Sequence, residues 1–181
     1  NTAFTALSLT IHPASAAETW NVADGNGTFT ITDTGDDVSI DNVSAGATNL
    51  AFSLTADTGD ISVTTIAAGS GAVALTSMAG SISDNSSSIT AGDLSLTANA
   101  SGQSVGASGS GAIDVTLSGS LTASASSGAG GVFVSETGVM AIASVDATGG
   151  DVELTSSGAI TATDGDEGAA EVTAGGDVTL S

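Results

Sequence analysis

The chain has 181 residues, with 25 glycines, no cysteine, no lysine and no arginine, and its 20 aspartates and glutamates give a formal net charge of −20. Nucleic acid and anionic membrane surfaces repel such a chain, and without Lys or Arg it can form no arginine clamp, lysine Schiff base or lysine isopeptide link. Disulfides and cysteine metal sites are excluded, no apolar run reaches the ~18 residues of a membrane helix, and an apolar fraction of 40% argues for a packed core over disorder.

The first stretch, "FTALSLTIHPASAAE", has the small residues of a cleavage site but no basic start, and Thr10, His12 and Pro13 interrupt its apolar part. It reads as mature chain, not as a leader. Residues 3–11 alternate, with Leu7, Leu9 and Ile11 on one face, and Pro13 stops the pattern. Trp20 and Val22 form a second alternating pair, followed by the turn "DGNG" (Asp24–Gly27) and the strand "TFTIT". The only Trp, Pro and His lie in this region. A solenoid end exposes its core and its strand edge, so residues 1–34 are expected to be an N-terminal cap or an inter-subunit strand segment.

From residue 35 to 181 one punctuation recurs. A glycine is followed at two and four residues by apolar side chains at Gly71-Val73-Leu75, Gly92-Leu94-Leu96, Gly111-Ile113-Val115, Gly130-Val132-Val134 and Gly150-Val152-Leu154. The glycine steps are 21, 19, 19 and 20 residues. A second ladder interleaves at Gly59-Ile61, Gly80-Ile82, Gly119-Leu121, Gly138-Met140, Gly158-Ile160 and Gly176-Val178, with a weak rung at Gly102-Ser104. Alternation within each arm signals strands, and a period of ~20 residues kept over many units signals stacked coils. The predicted fold is all-β, a parallel β-helix (β-solenoid) with coils of about 20 residues. Glycines mark its corners, Val152 and Leu154 point inward above Val132, Val134, Ile113 and Val115, and Glu153 faces water.

At "GDVELTSSGAITATDG" and "AGGDVTLS" the chain resembles the repeat regions of filamentous haemagglutinin-like adhesins and the passenger domains of autotransporters. The resemblance covers roughly residues 35–181. It implies a right-handed parallel β-helix, secretion to the cell surface, and an adhesive or structural role. The Asn and basic residues frequent in such repeats are missing.

Chemistry-bearing residues are sparse. Asp36-Asp37 and Asp164-Asp166-Glu167 are paired only by adjacency, and glycosidases need two carboxylates held ~5–10 Å apart across a cleft. His12 is the only histidine. An enzyme is therefore not expected. Calcium is the one cofactor the acidic turns suit, through Asp24 and Asn26, Asp33, Asp36 and Asp37, Asp57 and Asp60, and Asp164, Asp166 and Glu167. None of these turns matches an EF-hand or a calcium-binding nonapeptide repeat. Thr-x-Thr, the motif of ice-binding solenoids, occurs at Thr28-Thr30-Thr32 and Thr161-Thr163, and its spacing predicts no flat threonine array. Sequons occur at Asn26, Asn42, Asn85 and Asn99.

The expected function is a non-enzymatic, extracellular, cell-surface structural or adhesive solenoid, either a filament subunit or a segment of a large adhesin. The alternative is a calcium- or carbohydrate-binding module. The expected partner is the chain itself, in a head-to-tail homopolymer joined through Leu7, Leu9 and Ile11, or neighbouring segments of the same long protein. Neither nucleic-acid binding nor membrane insertion is expected.

Overall fold

The computed structural model describes residues 6–11, 18–23, 27–44, 49–126, 128–163 and 171–181, with side chains from residue 30 on, Asp41 and Ser87 apart. In chain order the strands are β1 (Ala6–Ile11), β2 (Glu18–Ala23), β3 (Gly27–Asp33), β4 (Val38–Ser44), β5 (Leu50–Ala56) and β6 (Ile61–Ala67). They continue with β7 (Val73–Ser77), β8 (Ile82–Ala91), β9 (Leu94–Ala98), β10 (Ile113–Leu117), β11 (Ser120–Ala125) and β12 (Val132–Glu136). The last are β13 (Met140–Ala147), β14 (Val152–Ser156), β15 (Ile160–Ala162), β16 (Val172–Ala174) and β17 (Val178–Leu180).

Odd-numbered strands up to β15, with β16 beside β13, form a nine-stranded sheet, and even-numbered strands up to β14, followed by β17, form an eight-stranded one. The pairings are parallel, for example Phe52 beside Val73 and Val73 beside Leu94. Up to β15 successive strands alternate between the two sheets, so each turn contributes one strand to each sheet. The protein is a parallel β-solenoid. No helix among the described residues is long and apolar enough to cross a membrane.

Alternation explains why these segments stack. In β5, β7 and β9 every second residue is buried, and the residues between are half-buried on the outer face. The buried core is mostly Val, Ile and Leu, with Phe52, Met140 and several alanines, which suits a parallel stack packed against a second sheet ~10 Å away. From β3 to β13 one inward column at the strand ends of the nine-stranded sheet carries small or short side chains: Asp33, Ala56, Ser77, Ala98, Ala125 and Ala147. Ser77 closes the corner, donating its hydroxyl to Gly59 O and accepting the Gly80 N–H, both at 2.8 Å.

Strands within residues 1–34 lie in these same sheets. β1 pairs with β3, placing Leu7 beside Phe29 and Leu9 beside Ile31, and β2 pairs with β4.

The expected column through Val152 needs a correction. Val132 stacks on Val152 as expected, but its other neighbour is Val105, while Ile113 sits beside Val134 and Val115 beside Glu136. Val73 and Leu94 belong to the opposite sheet altogether. The cause is an excursion at residues 106–112. Val105 bridges Ile82 and Val132, the chain leaves the sheet through the 3₁₀ turn Gly109–Gly111, and Ile113 resumes the rung. The step from Leu94 to Leu121 is therefore 27 residues, against 21 from Val73 to Leu94. A fixed period runs through such an insertion and emerges on the wrong sheet.

Smaller irregularities occur in the same sheet. The register shifts between Trp20 and Asn21, and again between Val63 and Thr65, where β8 carries extra residues including Ser86 at φ 57°. Bulges leave residues off the ladder and bend the strand locally. The loop at 106–112 is the largest of them, and it folds back so that Ser108 Oγ donates to Glu153 Oε2 at 2.6 Å.

Candidate functional site

The recurrent Gly-Asp pair precedes β6, β14 and β17 of the eight-stranded sheet and β9 of the nine-stranded one, where the chain turns a corner and the backbone ladder is interrupted. There the polar side chain of one rung accepts the N–H of the equivalent residue in the next. Asp37 Oδ1 accepts Asp60 N–H at 2.8 Å, and Asp60 Oδ1 accepts Ser81 N–H at 2.7 Å. Ser81 Oγ accepts Ser104 N–H and Ser104 Oγ accepts Gly131 N–H, both at 3.1 Å. Farther along, Asp151 Oδ1 accepts Asp177 N–H at 2.9 Å. The other corner repeats the device. Asn49 Oδ1 accepts Ser70 N–H at 3.1 Å, and Asp93 Oδ1 takes both the N–H and the hydroxyl of Ser120. An unpaired backbone N–H at a corner loses a hydrogen bond, and these side chains supply it.

This geometry places the acidic residues singled out for calcium. Asp33 turns inward, 1% exposed, with Oδ1 accepting Gly35 N–H at 2.9 Å. Asp36 and Asp57 face solvent, and Asp37 and Asp60 point along the stack into the ladder just described. Among the described residues no three His, Cys, Asp or Glu side chains gather where they could hold a metal ion. Asp24, Asn26, Asp164, Asp166 and Glu167 lie outside the described residues, as do His12 and the side chains of Leu7, Leu9 and Ile11.

Sequence reading missed Glu136. It occupies the inward column of Ile66, Ile89 and Val115 and is 3% exposed. Its Oε1 accepts Leu117 N–H at 3.1 Å, and its Oε2 is buried without a partner. Burial pushes its pKa above the ordinary 4.5, and the Leu117 N–H partly offsets the rise. A raised carboxyl pKa favours the fold in full below 4.5, and that contribution is lost as pH rises through the raised value. Glu136→Gln keeps an acceptor for Leu117 and removes the ionisation. Melting curves from about pH 4 to about pH 7 should show wild type losing stability relative to the variant as pH rises. A constant difference across that range would contradict the assignment.

The chain's acids have no Lys or Arg to pair with, and Asp37 and Asp60 stack one rung apart. Salt should relieve this repulsion. The melting temperature is expected to rise by about 2–4 °C from low to physiological ionic strength, the response to ~1 kcal/mol in a domain of this size. A salt-independent melt would count against it.

The outer face of the nine-stranded sheet corrects the expectation about threonine. Thr32, Thr55, Thr76 and Thr97 are register partners in successive rungs, and Ser124 follows them. Beside them runs Thr30, Ser53, Ala74, Ser95 and Thr122. The parallel register aligns the array, and Ser or Ala in place of the first Thr of the motif in several rungs hides it from a Thr-x-Thr search.

No protein-family model matches the chain, and neither a curated protein nor a solved structure does. The solenoid that the adhesin resemblance implied is the fold the chain has; kinship with haemagglutinins or autotransporters has no support from these comparisons.

Proposed function

We propose that this chain is a non-enzymatic, extracellular β-solenoid with a structural or adhesive role at the cell surface, as a segment of a long surface protein or as the subunit of a filament. The carrying observation is the corner ladder from Asp37 through Asp60, Ser81 and Ser104 to Gly131. In this ladder the side chains of Asp37, Asp60, Ser81 and Ser104 are engaged in holding rung on rung.

An antibody raised against the folded chain tests the reading on intact cells of the producing organism. Labelling of the outer surface, with immunogold following fibres or a surface layer, is the expected result. Labelling only after the cells are opened would overturn it.

A further inference from the structure

We propose that the outward face of the nine-stranded sheet binds ice. Along the stack, Thr32, Thr55, Thr76 and Thr97 repeat at the inter-strand spacing of ~4.8 Å, and the neighbouring column of Thr30, Ser53, Ala74, Ser95 and Thr122 lies one two-residue step of ~6.6 Å across the strands. The first of these distances is close to the shorter oxygen repeat on a prism face of hexagonal ice. From Thr30 to Ser124, Ala74 is the one position in the two columns without a hydroxyl.

Two further features favour this ligand. The registers from β3 to β9, and on to β11, run without a shift, and the one shift recorded on this sheet, between Leu121 and Thr122 against β13, lies at the far edge of the array. The array is therefore regular from Thr30 to Thr97. The two columns are also uncharged from Thr30 to Ser124, in a chain with 20 acids. A charge orients water radially about itself and disrupts a lattice at that point, so a neutral grid suits a neutral crystal. Each threonine presents a methyl group, which excludes disordered water, beside a hydroxyl, which holds an ordered one. The rigid stack fixes both before contact, so little ordering cost remains on binding.

Thermal hysteresis and inhibition of ice recrystallisation measure the activity directly on the purified chain. Wild type is expected to separate freezing from melting and to facet ice crystals. Thr76→Lys, in the middle of the array, should abolish both effects, and Ser95→Lys in the adjacent column should do the same. Thr116→Lys, an exposed residue on the other sheet, should leave them intact. Circular dichroism and melting of each variant confirm that it is folded. Absence of hysteresis and of recrystallisation inhibition in wild type overturns the proposal whatever the variants do. Equal loss in folded Thr116→Lys and folded Thr76→Lys overturns it as well.

Discussion

Val152→Asp is expected to lower the unfolding free energy by ~3–5 kcal/mol, or to prevent folding. Val152 is 1% exposed and stacks between Val132 and Val178 in the inward column. A carboxylate placed there finds no cation, because the chain contains no Lys or Arg. It must lose hydration or take up a proton, and either route destabilises the fold. The adjacent Glu153→Ala should cost no more than ~1 kcal/mol, since Glu153 is half-buried on the outer face and loses only its bond from Ser108. Denaturant midpoints separate the two. Equal midpoints would mean that the faces of β14 are inverted.

Gly150→Ala is the second large effect expected, at ~1–3 kcal/mol. A Cβ built on Gly150 lands on the carbonyl of Gly130, one rung away, and that backbone cannot retreat without breaking the stack. Gly102 is a control with the opposite problem. It has φ +80° and nothing within 4 Å of an added methyl, so Gly102→Ala meets only the left-handed backbone cost of ~1–2 kcal/mol. Corner glycines thus serve two separate needs. If thermal melting showed Gly150→Ala to be neutral, close packing of rungs at that corner would be refuted.

Much of the fold was legible because its two periods are written in different residues. Alternation of Val, Ile and Leu marks strands, and Gly-Asp marks corners. Placement within the stack was less legible. The weak rung at Gly102-Ser104 was the trace of the 106–112 excursion, but periodicity registers an insertion only as a fading signal. Glu136 was invisible for a related reason. The alternation Val132, Val134, Glu136 points it inward, yet a charged residue at a strand end ordinarily reads as solvated. The acids at Asp37 and Asp60 were recognised as corner residues and assigned to cations. Their bonds, and that of Asp151, to backbone N–H groups 21–26 residues away are long-range, and only the stacked geometry reveals them.

Both the proposed surface role and the proposed ice-binding face require that Thr55 and Thr76 be neighbours on successive rungs. The chain has no cysteine, so nitroxide labels can be attached at Thr55→Cys and Thr76→Cys without background. Parallel, in-register stacking places the two labels ~4.8 Å apart, and labels at 55 and 97 twice as far. The continuous-wave electron paramagnetic resonance spectrum of the 55/76 pair should therefore show strong spin exchange, and that of the 55/97 pair only weaker dipolar broadening. A 55/76 spectrum equal to the sum of its two singly labelled spectra would contradict the stack.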